Sequence, residues 1–207
     1  MKNISGIIFD CDGVLFESKR ANLAYYNAIL AELGEPLVDE ADHEKAHLCH
    51  TAASPLVLST LLGEERATVA LEFAAGLDYR RFIPEMQPEP GMSEVLAQLA
   101  TRYPLAVATN RGTSMPEIIQ HFQLGDHFHT VVTSRDVPRP KPYPDMLLEA
   151  ARRMQLLPQE LLFIGDSELD LAAAESAGMV FAAYGPTLDA EVQFQSFGEI
   201  WESLGGV

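Results

Sequence analysis

Five short runs of this 207-residue chain are apolar almost throughout: SGIIF (5–9), PLAVAT (104–109), HTVVT (129–133), LLFIG (161–165) and MVFAAY (179–184). Each is too short for an amphipathic helix. Each is apolar at consecutive rather than alternate positions, the pattern of a strand covered on both faces. Between most of them lie helical patterns, at 91–102, 114–123, 143–155 and 169–178. In the second, Ser114 is placed as a cap with Pro116 in the first turn; the last ends at Gly178, placed as a C-cap. Strands alternating with helices predict an α/β fold, a Rossmann-like, doubly wound parallel sheet with helices on both faces. Apolar residues make up 47% of the chain and charged residues 21%, the composition of a globular protein with a sizeable core.

One interval breaks the alternation. Between residues 18 and 88 the patterns at 21–34, 42–52, 54–63 and 64–82 are helical, and no strand is evident. The segment PEMQPEPG (84–91) then reads as a hinge. The expected organisation is an α/β core of residues 1–17 and 89–207, with a helical cap, residues 18–88, inserted after the first strand. A helical layer extended over the same core is the alternative.

A net charge of −16 argues against nucleic acid or an anionic membrane surface as a partner. It permits an anionic small molecule where a metal ion or a few basic side chains reverse the local field. No apolar run approaches the roughly 20 residues of a membrane helix, and the stretch MKNISGIIFD has the make-up of neither a secretory signal nor an anchor. Cys11 and Cys49 are too few and too far apart for a disulfide framework, so a cytoplasmic location is expected. The sequence sets no oligomeric state.

Ligands of open parallel sheets bind beyond the carboxyl ends of the strands. Those ends carry Asp10, Cys11, Asp12 and Gly13; Thr109, Asn110 and Arg111; Lys141 between two prolines; and Asp166 with Asp170 just inside the next helix. Asp10 and Asp12, two residues apart on an extended chain, face one way, while Cys11 faces the core. Two adjacent carboxylates resist joint ionisation unless a cation neutralises them. An Asp-Gly turn alone would account for Asp12-Gly13, but Asp166 at a second strand end makes an oxygen-only cluster. Such a cluster favours Mg²⁺, which binds a few carboxylates together with water and phosphate. Gly13 lets the backbone approach an anion, Thr109 and Asn110 offer a hydroxyl and an amide to phosphate oxygens, and Lys141 offers a compact positive charge.

The phrases DCDGVL, ATN, PKP and GDSELD, in this order at strand ends, resemble the four motifs of the haloacid dehalogenase-like hydrolase superfamily. PEPGMSEVLAQL and DLAAAESAGM are similar to its phosphoglycolate phosphatase and β-phosphoglucomutase branch. The resemblance covers the whole chain. It implies that Asp10 is the nucleophile forming an aspartyl-phosphate and Asp12 the general acid and base. It implies that Mg²⁺ is held by Asp10, the Asp12 carbonyl and Asp166, supported by Asp170. Thr109 and Lys141, assisted by Asn110, would hold the phosphoryl group of a small phosphorylated metabolite.

An aspartate at position 12 suits phosphate esters, whose alkoxide leaving group needs a proton donor. The implied activity is a Mg²⁺-dependent phosphatase. A sugar-phosphate mutase using the same intermediate, and a non-catalytic binding module, are the alternatives. The chain departs from the resemblance at Glu17, where an aspartate is common, and at Arg111, where a lysine is frequent. Glu168 reads as a solvated helix-start residue. His43 and His47, spaced i and i+4, are a weak candidate metal pair, and His47 or His50 could instead touch substrate. Arg80-Arg81 reads as a solvated basic pair, with binding of an acidic leaving group such as a carboxylate as the alternative.

Overall fold

The computed structural model describes residues 4–186 and 188–206; the first three residues of the N-terminal stretch lie outside them. Strands β1 (Gly6–Phe9), β4 (Leu105–Thr109), β5 (Thr130–Thr133), β6 (Leu161–Gly165), β7 (Val180–Tyr184) and β8 (Gln193–Phe194) form one sheet in the order β5-β4-β1-β6-β7-β8. Every pairing in it is parallel. The five apolar runs become the five longer strands with ends shifted by at most a residue. β8 has only two residues, too few to show a period.

Side-chain alternation splits the strands between two cores. Ile7, Phe9, Leu105, Val107, Leu162 and Ile164 pack on one face and Ile8, Ala106, Ala108, Leu161 and Phe163 on the other. Residues of α5 (Met92–Ala100), α6 (Met115–His121) and α9 (Phe197–Ser203) cover the first face; residues of α7 (Asp145–Met154) and α8 (Glu168–Ala177) cover the second. Burial on both faces is why these strands are apolar at consecutive positions. Gly178 ends α8 in the left-handed conformation, φ 68°, as the sequence suggested.

Between β1 and α5 the chain forms α1 (Lys19–Glu32), α2 (His43–Thr51), α3 (Ser54–Leu62) and α4 (Glu64–Gly76). These helices bury a third cluster, including Ile29, Leu30, Val57, Leu58 and Ala70. The expected helix over 64–82 stops at Gly76. Two 3₁₀ turns follow, Tyr79–Arg81 and Ile83–Glu85, the first capped by the Asp78 side chain. The bend carries Tyr79, Phe82, Ile83 and Met86 off the helical cluster and into the core of the sheet. The segment expected as a hinge pairs as well: β2 (Phe16–Glu17) and β3 (Gln87–Pro88) form an antiparallel ribbon that joins the two chain crossings. Glu89 N–H adds a bond to the Leu15 carbonyl, 3.0 Å.

Ile164 is fully buried in β6, one residue before the carboxyl end. Ile164→Ala removes packing atoms that the rigid sheet cannot replace. It is expected to cost about 2–5 kcal/mol of stability, read from urea unfolding midpoints followed by circular dichroism.

Candidate active site

β1 and β6 run side by side, with Phe9 opposite Ile164. The chain therefore delivers Asp10 and Asp166 to the same end of the sheet, and Asp10 N–H is held by the Ile164 carbonyl at 2.9 Å. Gly13 turns with φ 74°, and a Cβ there would overlap the Asp166 carboxylate. Glycine is thus required by a close approach within the site itself. Its own N–H donates to the Phe16 carbonyl at 2.8 Å.

Lys141 is buried, with Nζ 2.8 Å from Asp10 Oδ1 and 2.5 Å from Asp170 Oδ1. Asn110 secures this lysine from behind. Its Oδ1 accepts Lys141 N–H at 2.9 Å, and its Nδ2 donates to the carbonyls of Lys141, 3.2 Å, and Thr51, 3.0 Å. The amide expected to meet phosphate is instead spent on backbone, tying the Lys141 loop to the end of α2. The Thr109 hydroxyl, fully buried, accepts Arg111 N–H at 3.2 Å. Asp170 is fully buried, and its Oδ2 accepts from Ser167 Oγ at 2.5 Å and Ser167 N–H at 3.2 Å, closing the cap of α8.

Carboxyl oxygens of Asp10, Asp166 and Asp170 lie within 4.8 Å of one another, the only such His/Cys/Asp/Glu group among the described residues. Burial, reinforced by the neighbouring carboxylates and only partly offset by Lys141, pushes Asp10 up to about 7 and Asp166 up to about 8. An oxygen-only group in which two carboxyls are driven toward neutrality fits a hard divalent cation such as Mg²⁺.

Asp12 follows a different course from its neighbour. Arg111 clamps it with two bonds, Nε to Oδ2 at 2.8 Å and Nη2 to Oδ1 at 2.5 Å. Oδ1 also accepts from Ser18 Oγ and, at 3.0 Å, from Asn22 Nδ2. Burial raises the Asp12 carboxyl, but the Arg111 charge and these hydrogen bonds outweigh it and hold it below the usual carboxylate range. The Asp12 side chain therefore stands apart from the other three carboxylates.

Asp10, Asp12, Thr109, Asn110 and Arg111 from the strand ends, and Asn22 and His50 from the inserted helices, line a cavity of about 550 Å³. Sequence reasoning noted Arg111 only as a departure and gave Ser18, Asn22 and Tyr79 no role. No spacing rule announces them, because they meet Asp12 only through the fold. Glu17 is exposed and accepts Lys19 N–H at 2.9 Å, so the contact with the site comes from Ser18. Glu168 is not merely solvated: its Oε1 lies 2.9 Å from His47 Nε2, bridging α2 and α8. Ser114 stands at the start of α6 without a capping bond, and its Oγ accepts from Arg111 Nη1 at 3.3 Å. Arg80 is exposed and paired with Asp78. Cys11 is fully buried in the core.

A family description, haloacid dehalogenase-like hydrolase, matches residues 7–184. A phosphoglycolate phosphatase of Escherichia coli (strain K12) is 27% identical over 99% of this chain and 94% of that protein. The crystal structure of a subfamily IA hydrolase of the same superfamily from Geobacter sulfurreducens PCA is 36% identical, with a TM-score of 0.84 over 97% of this chain and 99% of that one. CbbY from Rhodobacter sphaeroides shares the fold, with a TM-score of 0.79 at 22% identity over 99% of this chain and 97% of that one. No helix among the described residues is long and apolar enough to cross a membrane. With the motifs gathered at one end of the sheet and the match running over most of its length, the chain belongs to the haloacid dehalogenase-like hydrolase family, in its phosphoglycolate phosphatase-like branch.

Proposed function

We propose that this phosphoric monoester hydrolase acts on a small phosphorylated metabolite through an aspartyl-phosphate on Asp10, with Mg²⁺ as cofactor. The observation that carries this reading is the Asp10 carboxylate held 2.8 Å from the buried Lys141 ammonium, in the cavity that also receives Asp12. In the first step an Asp10 oxygen attacks phosphorus, the ester P–O bond breaks, and Asp12, turned away from Arg111 and carrying a proton taken from solvent, gives that proton to the leaving oxygen. In the second, the Asp12 carboxylate takes a proton from water, which attacks the aspartyl-phosphate and releases phosphate and free Asp10. Lys141 and the Thr109 hydroxyl neutralise and orient the phosphoryl oxygens. Asp170 and Asn110 are positioning residues that act by fixing Lys141. Asp10, the Asp12 backbone carbonyl and Asp166, supported by Asp170, would hold Mg²⁺, which supplies charge neutralisation to the phosphoryl group when bound.

Residues 18–88 serve in this reading as a cap over a core of residues 1–17 and 89–207. Their own apolar cluster and the paired crossings at β2 and β3 support that division. A cytoplasmic setting goes with a small-metabolite substrate and with Cys11 and Cys49, both free thiols.

Asp10→Asn keeps the shape of the side chain and removes the nucleophile. Hydrolysis of p-nitrophenyl phosphate with Mg²⁺ is expected to fall by at least about 10³-fold, with the circular dichroism spectrum unchanged. Undiminished turnover would refute the aspartyl-phosphate. Because Asp10 and Asp166 retain protons below about pH 7 and pH 8, a bound cation must expel them. Mg²⁺ affinity should therefore rise with pH and be about tenfold or more weaker at roughly pH 6 than at pH 8. Calorimetry in buffers of different ionisation enthalpy checks both the affinity and the proton release.

A further inference from the structure

The cavity at the strand ends has two unlike walls. From the core come its charged side chains: Asp10, Asp12, Arg111, which pairs with Asp12, and the exposed Arg135. From the inserted segment, residues 18–88, no Lys, Arg, Asp or Glu among the described residues lines it. The basic side chains of that segment are engaged elsewhere. Lys19, Arg20, Lys45, Arg66 and Arg80 each pair with a carboxylate away from the lining. His50 adds no charge to this wall near neutral pH, because burial holds its ring below the ordinary histidine range.

Polar side chains of the same wall are engaged by protein partners. Tyr79 OH donates to Asn22 Oδ1 at 3.1 Å, Tyr26 OH and Ser54 Oγ meet at 3.0 Å, and Thr51 Oγ1 donates to the His47 carbonyl at 3.0 Å. The rest of the wall is mainly apolar surface: the Tyr25 ring with Ala52, Pro55, Leu56, Leu71 and Ala75. Leu56 is 55% exposed although it lines the cavity. A ligand that displaces water from this wall gains the burial of both apolar surfaces. Cavities of about 300–1,000 Å³ with mainly apolar walls and a few placed polar groups take drug-sized ligands. At about 550 Å³ this one has room for much more than a phosphoryl group.

We propose, on the phosphatase reading above, that the substrate is a phosphate monoester of an uncharged alcohol bearing an apolar ring, the ring lying against Tyr25, Pro55, Leu56 and Leu71 while the phosphoryl group meets Asp10. Selectivity follows from desolvation. A charged leaving group against this wall loses water with no ionised side chain of the inserted segment to answer it. An apolar ring gains by leaving water. The Tyr25 ring offers an aromatic leaving group an edge or a face as well.

The test measures kcat/KM of the wild-type enzyme with Mg²⁺ for 2-phenylethyl phosphate, ethyl phosphate and phosphoglycolate. The phenyl ester is expected to be preferred over each of the others by about tenfold or more, the gain from burying its ring. Leu56→Asp places a carboxylate at an exposed position of the wall. It should cut that preference to within about threefold, with the circular dichroism spectrum unchanged, whereas Leu56→Met should keep it. A smaller wild-type preference, or a preference for phosphoglycolate, with p-nitrophenyl phosphate hydrolysed, overturns the apolar subsite and leaves the phosphatase reading standing. A preference that survives Leu56→Asp overturns it too. Failure to hydrolyse any of these esters, p-nitrophenyl phosphate included, overturns both.

Discussion

Four carboxylates, Asp10, Asp12, Asp166 and Asp170, crowd one end of the sheet, where two buried cations, Lys141 and Arg111, answer them. Removing one carboxylate from water is costly, and four in one place are tolerable only with paired charges and hydrogen bonds. The arrangement divides the charge unevenly. Lys141 lies between Asp10 and Asp170, and Arg111 is given to Asp12. Asp166 has no cation in the described structure, and its carboxyl is pushed up to about 8. In the proposed function a divalent cation neutralises this surplus of negative charge, and with it the repulsion of a phosphate by a chain of net charge −16.

The division also separates two aspartates that sequence alone makes look equivalent. Asp10 and Asp12 leave β1 on the same side, yet Asp10 is raised toward neutrality and Asp12 held ionised. Burial acts on both; the difference is the guanidinium. In the proposed mechanism the two need opposite properties at different moments, so the partner of Asp12 becomes a control point. That partner is assembled from a core residue, Arg111, and from residues of the inserted helices, Ser18, Asn22 and Tyr79. Asp12, the acid and base of the proposed mechanism, is thereby tied to the inserted segment by hydrogen bonds.

The legibility of these features varied with the range of the interactions behind them. The strands were legible because a doubly covered strand must be apolar at consecutive positions, and Ile7 to Phe9 or Leu161 to Ile164 obey that locally. The end of α4 was not, because Tyr79 and Phe82 continue a plausible helical pattern; only the demand of the sheet core for these side chains turns the chain away. β2 and β3 escaped notice because two residues carry no period, and their pairing partner lies some seventy residues away. Asn110 was read as a phosphate donor from its chemical type, whereas its neighbours use both ends of its amide on the Lys141 and Thr51 backbone.

By itself the sequence determined the parallel sheet and the identities of Asp10, Asp12, Thr109, Lys141, Asp166 and Asp170 at strand ends and loops, since strand periodicity and short motifs are local properties of the chain. The tertiary structure alone decided which of these groups share a charge. Lys141 reaches Asp10 and Asp170 across separate loops, Arg111 takes Asp12, and the Asn22 amide meets His50 Nδ1 at 3.3 Å. Those pairings depend on distances of a few ångströms between residues remote in sequence, and electrostatic energies in a buried site change steeply over such distances.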